Sequence, residues 1–189
     1  MSYTVVLDAC VLVPMPLCDT LLRLAEEPAT YRPLWSEQIL LEVGNALEKK
    51  LKRTASQRQR RIHSMRSAFP DAEVDVPAGL ANAITCIPDP NDCHVVAAAI
   101  CGSADAIVTF NKRHFPSECI QQYGVVCQTP DQFLVEQFQL APELALEKID
   151  SQAAALGQGR AFITQRLRKM TPSFAGLVHL GIAGADEHG

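Results

Sequence analysis

Apolar and polar positions alternate in blocks along most of the chain. Tyr3-Thr4-Val5-Val6-Leu7 is a continuous, β-branched run that stops at Asp8, the pattern of a strand buried on both faces. Leu17, Leu21, Leu22 and Leu24 predict a helix once the Pro14 and Pro16 interruption is passed. Pro33-Leu34-Trp35 reads as a second strand, and Ser36 as the cap of a helix reaching about Arg53. Ile39, Leu40, Val43, Leu47 and Leu51 form its apolar stripe, with Glu42 at the edge of the stripe. A further helix is expected from Ser56 to Phe69 and a strand from Ala72 to Val76. Pro88-Asp89-Pro90-Asn91 reads as a turn. After Asp92 the run Val95-Val96-Ala97-Ala98-Ala99-Ile100 is apolar all round, which fits a central buried helix ending at Gly102. Ala106-Ile107-Val108-Thr109 and Gly124-Val125-Val126-Cys127 are the last strands expected. Thr129-Pro130 then opens a helix to about Leu140.

Strands alternating with helices predict an α/β sandwich with a mostly parallel sheet. From Ala141 onward only helical patterns remain. The expected organisation is therefore a domain over residues 1–140 and a helical C-terminal extension, 141–189, packed on it. The extension is too small to support a strong core alone.

Composition narrows the class without naming a function. The chain has 189 residues, 48% hydrophobic and 20% charged, an ordinary globular balance. Its formal net charge of −4 excludes a polybasic nucleic-acid binder overall. The seven cysteines include no C-x-x-C pair, which argues against a zinc ribbon or a thioredoxin-type motif and favours buried, reduced thiols in a cytoplasmic protein. No stretch has the length of a membrane span, and the N-terminus lacks a basic leader.

Candidate chemistry lies where strands end, because open α/β sheets bind ligands outside their carboxyl edges. Asp8 ends the first strand, Thr109 and Asn111 follow a later one, and Asp89 and Asp92 stand at the mouth of the apolar helix. Glu42 lies on the helix after the second strand. Each acid alone has a structural role open to it: a cap for Asp8, a dipole partner for Asp92, a turn for Asp89, a solvated face for Glu42. Together they suggest a carboxylate cluster, which is costly unless cations fill it. Hard ions such as Mg²⁺ or Mn²⁺ suit such oxygen donors, and the usual chemistry is phosphodiester hydrolysis.

Four segments in this order carry a family resemblance. Val5-Val6-Leu7-Asp8-Ala9-Cys10 resembles the opening of PIN-domain ribonucleases, and Trp35 to Val43, around Glu42, is similar to their second motif. Pro88-Asp89-Pro90-Asn91-Asp92-Cys93-His94 resembles the third, and Asp105 to Pro116 the fourth. The resemblance covers about residues 3 to 140. It implies a PIN-like three-layer α/β/α sandwich and a metal-dependent endoribonuclease. It makes Asp8, Glu42 and Asp92 the catalytic, metal-binding carboxylates, with Asp89 a further ligand and Asn111 and Thr109 in support. It also implies the VapC type of toxin, with a cognate antitoxin, an RNA substrate and a homodimer. The family's fourth motif usually offers an acid where this chain has Asn111 and His114, and Cys10 and Cys93 replace common polar residues.

A basic segment supplies a surface for RNA. Lys49, Lys50, Lys52, Arg53, Arg58, Arg60, Arg61 and Arg66 occur with no acid among them. Such a run could contact phosphates without reading sequence, receive an acidic antitoxin segment, or simply solvate a helix face. His94 is expected to be a satisfied core residue, and His63 adds charge within the basic helix. A catalytically weak PIN module that binds RNA or a protein partner is the alternative to the enzyme. A phosphatase-type use of Asp8 wants a second Asp two residues on, where Cys10 stands.

Overall fold

The structure, a computed structural model, describes residues 3–186, with side chains as far as Gly181. Five strands form one all-parallel sheet: β1 (Thr4–Leu7), β2 (Arg32–Ser36), β3 (Glu73–Val74), β4 (Ala106–Val108) and β5 (Val126–Gln128), in the order β3-β2-β1-β4-β5. Helices cover it in an α/β/α arrangement. Val5, Val6 and Leu7 of the central strand are fully buried, as a parallel strand covered on both faces requires.

The chain groups into two compact units, residues 1–13 with 31–128, and residues 14–30 with 129–189. The first holds the sheet together with α1 (Ala9–Leu12), α3 (Glu37–Leu51), α4 (Ala55–Ala68), α5 (Leu80–Ala83), α6 (Cys93–Cys101) and α7 (Ser117–Ile120). The second is all helical: α2 (Leu17–Ala25), α8 (Pro130–Leu140), α9 (Pro142–Ala154), α10 (Arg160–Leu167) and α11 (Pro172–Asp186).

Local chemistry sets the helix starts. Ser36 ends β2 and its hydroxyl accepts from the Ile39 amide at 3.3 Å, so strand and helix meet without a loop. Thr54 and Gln57 form a reciprocal capping box at α4, as do Thr129 and Gln132 at α8. Small residues let α6 lie close on β1, β2 and β4: Ala97, Ala98 and Ala99 are fully buried. Gly102 follows because a Cβ there would meet Leu34 Cδ1 at 2.3 Å.

In the helical unit a polar pair is buried in the core. Thr20 donates to Gln152 Oε1 at 2.8 Å, and Gln152 Nε2 donates to the Pro16 carbonyl at 3.0 Å. Asp131 of α8 accepts from the Ser173 and Phe174 amides, satisfying two orphan donors at the start of α11.

Cys86 and Cys119 are joined by a disulfide with their Cα atoms 5.5 Å apart. This corrects the expectation of reduced thiols throughout. The fold brings the loop before α6 beside α7, a meeting that the spacing of cysteines along the chain does not announce. Cys10, Cys18, Cys93, Cys101 and Cys127 are outside any disulfide. Among the described residues no helix is long and apolar enough to cross a membrane.

Candidate active site

Strand order reverses direction between β1 and β4, since β2 and β3 lie on one side of β1 and β4 and β5 on the other. The crevice outside such a switch is where open α/β sheets bind ligands. The register pairs Leu7 with Val108, and the Asp8 amide donates to the Val108 carbonyl at 3.1 Å. Asp8 and Thr109 therefore leave the sheet side by side.

Their side chains are locked together. The Thr109 hydroxyl donates to Asp8 Oδ2 at 2.6 Å, and the Cys10 thiol donates to the same oxygen at 3.0 Å. Cys10 Sγ in turn accepts from the Phe110 amide at 3.2 Å, and Thr109 Oγ1 from the Asn111 amide at 3.0 Å. Burial first, and then the Asp8 charge, push the Cys10 thiol up to about 12, so it keeps its proton and donates. Asp8 is only 6% exposed, and its side chain makes no cap hydrogen bond to the backbone of the helix it precedes. The capping role open to it from sequence alone is thus set aside. Two donors converge on Oδ2, while Oδ1 accepts no hydrogen bond among the described residues. A buried carboxylate fixed by one oxygen is poised to offer the other.

Asp89 and Asp92 come from the turn ahead of α6. Asp89 accepts from the Asn91 backbone and side-chain nitrogens, which fixes the 3₁₀ turn Pro90–Asp92 ahead of α6. Asp92 Oδ2 lies 2.7 Å from His114 Nδ1. Burial holds the Asp92 carboxyl above its ordinary value. The hydrogen bond and charge of His114 oppose this, whereas the negative charges of Asp8 and Asp89 push the same way. Asp8, some eighty residues earlier in the chain, and Asp89 thus both act electrostatically on Asp92. Ligand atoms of Asp89, Asp92 and His114 all lie within 4.8 Å of each other, a spacing that could hold a metal ion. Oxygen-rich donors of this kind fit a hard divalent cation.

Glu42 is placed differently. Its Oε1 lies 2.9 Å from His94 Nε2, and it stands outside the Asp89, Asp92 and His114 group. That contact has the reach of an ion pair but not the angle of a hydrogen bond, so neither ring nitrogen of His94 is hydrogen-bonded among the described residues. His94 is buried as expected but is not a satisfied core histidine; it lines a cleft of about 530 Å³ with Ser36, Glu37, Glu73, Asp75 and Asn82.

The basic segment spans the end of α3 and all of α4. Lys49, Lys50, Lys52, Arg53 and Arg60 are exposed. Arg58 pairs with Glu48 at 2.6 Å, Arg61 donates to the Leu12 carbonyl at 2.8 Å, and Arg66 grips Glu73 through two nitrogens.

Comparison with known proteins decides the family. The chain matches the PIN domain family over residues 4–113, more than half its length. It belongs to the PIN-domain family. This PIN domain is also 38% identical over 72 residues to a Mycobacterium tuberculosis (strain ATCC 25618 / H37Rv) protein named "Putative ribonuclease VapC50". That stretch is 38% of this chain and 39% of the relative, so well under half of the relative is spanned. The PIN match ends one residue before His114. The sequence pattern flags His114 only as a departure in the fourth motif, and its place beside Asp92 emerges from the fold.

Proposed function

We propose that this PIN domain is a divalent-cation-dependent endoribonuclease, acting in the cytoplasm as the toxin of a type II toxin–antitoxin pair. The observation that carries the reading is the Asp89, Asp92 and His114 group, spaced as a metal site could be, with the charge of the buried Asp8 acting on Asp92. The name of the mycobacterial relative supports an RNA substrate.

Mg²⁺ or Mn²⁺, when bound, supplies Lewis acidity toward a phosphodiester and offsets the charge of the acids. Asp8 would hold the cation through Oδ1, with Asp92 and Asp89 completing the oxygen donors. Thr109 and Cys10 hold the Asp8 carboxylate in one orientation, which lowers the reorganisation needed at the moment of reaction. Asn111 is kept at the rim by its amide bond to Thr109. Glu42 would join as a ligand by trading its contact with His94. The exposed Lys49, Lys50, Lys52, Arg53 and Arg60 supply phosphate contacts that position a strand without reading it. Arg58 and Arg61 would add charge while serving their protein partners. A cognate antitoxin and a second copy of the chain are the protein partners this reading expects.

Asn111, in place of the usual acid, favours a second reading: a module that binds RNA without cutting it. Incubating single-stranded RNA with Mg²⁺ or Mn²⁺ separates the two. Cutting by the wild type and not by Asp8→Asn supports the enzyme. Equal binding without cutting by either protein supports the module.

A further inference from the structure

The donor set of the crevice is not purely oxygen. His114 lies on the 3₁₀ turn Lys112–His114, and its amide is held by the Asn111 carbonyl at 2.8 Å. Asn111 is itself tied to Thr109, and Thr109 to Asp8. The ring is therefore anchored through the same chain of bonds that orients the buried aspartate. Its Nδ1 points at Asp92 Oδ2, 2.7 Å away, and a ring nitrogen of His114 lies within 4.8 Å of ligand oxygens of both Asp89 and Asp92. Glu42 meanwhile stands apart from this group, on His94.

Replacing an oxygen donor by imidazole changes which ion fits. Mg²⁺ demands near-ideal octahedral oxygen coordination and keeps its waters. Imidazole suits first-row transition ions, and affinity for them climbs along the series toward copper. We propose that His114 is a nitrogen ligand of the cation site, so that this PIN domain selects a first-row transition ion over Mg²⁺. Loading such an ion replaces the contact with Asp92 by coordination through a ring nitrogen; any proton on that nitrogen leaves it, and the bound ring is neutral with its single proton on the other nitrogen. The proposal rests on the nuclease reading for the presence of a cation, and refines which one is held.

The test uses the full chain with Co²⁺ and Mg²⁺ as probes. Calorimetric titration gives the two dissociation constants, and the visible spectrum of bound Co²⁺ reports its ligands. The wild type is expected to bind Co²⁺ about a hundredfold more tightly than Mg²⁺. His114→Asp should reduce that ratio about tenfold or more and shift the Co²⁺ bands, as loss of a nitrogen donor requires. His114→Asn, checked by circular dichroism, guards against a misfolded variant. Spin-echo modulation of bound Mn²⁺ should show one coupled nitrogen, absent in both variants. No metal binding, an unchanged ratio in His114→Asp, or no nitrogen coupling would each overturn the proposal. RNA cleavage is scored separately. Nitrogen coupling without cutting would sink the nuclease reading alone, and cutting by Mg²⁺ without coupling would sink the ligand proposal alone.

Discussion

Thr109→Val is a near-isosteric change at a fully buried position, and it removes one hydroxyl. Three contacts go with it: the 2.6 Å donation to the buried Asp8 carboxylate, the 3.0 Å acceptance from the Asn111 amide and the 3.3 Å contact with Cys10 Sγ. A hydrogen bond to a charged group contributes about 1.5–3 kcal/mol, and a donor left without an acceptor costs about 1 kcal/mol or more. Cys10 still donates to Asp8 Oδ2 at 3.0 Å, so the carboxylate is not stripped bare. The expected loss is about 2–4 kcal/mol in the sheet-bearing unit. Urea unfolding followed by the fluorescence of Trp35, the single tryptophan and a residue of that unit, measures it. Thr109→Ser keeps the hydroxyl and should lose only about 1 kcal/mol, the share of the methyl group. A loss below about 0.5 kcal/mol for Thr109→Val, or equal losses for both variants, would refute the view that this hydroxyl holds Asp8.

Other perturbations reach the rest of the fold. The Cys86–Cys119 bridge spans 33 residues, which the chain-entropy relation converts to about 4 kcal/mol. Cys119→Ser should therefore unfold at lower urea than the oxidised wild type, and a dithiol reductant should lower the wild type but leave the variant unmoved. Gly102→Ala places a Cβ 2.3 Å from Leu34 Cδ1 and 3.1 Å from Val74 Cγ1, and should cost about 1–3 kcal/mol by overpacking, read as a lower melting temperature. The Arg160 guanidinium, hydrogen-bonded to Asp150, holds that carboxyl below its ordinary 3.8. A depressed folded-state pKa adds stability above the unfolded value, which disappears as pH falls through the folded one. Arg160→Gln should flatten this part of the acid limb of an unfolding-versus-pH curve below pH 3.8.

Local signals in the sequence carried much of the architecture. The β-branched run before Asp8, the Ser36 cap and the apolar run after Asp92 each fold as their patterns predict, because strand burial and helix capping are decided within a few residues. Capped by Thr54, α4 begins at Ala55, one residue earlier than the pattern suggests, since the partner Gln57 is needed to see the cap. Distant pairings were not legible. Thr20 meets Gln152 from 132 residues away, and Cys86 meets Cys119, only because the chain has folded. Within the site, the carboxylates at strand and helix ends could be picked out by type and place. That Cys10 donates to Asp8, that Glu42 faces His94 and that His114 joins Asp92 depend on side-chain directions that no periodicity encodes.

The central claim is that Asp8 and Asp92 belong to a single cation-dependent centre that cuts RNA. Single-turnover cleavage of single-stranded RNA by the wild type, Asp8→Asn, Asp92→Asn and the double variant tests it most directly. Residues that act as a unit lose about as much singly as together. The account predicts that either single variant abolishes cleavage to the level of the double. Cleavage retained by either single variant, or losses that multiply independently, would contradict it.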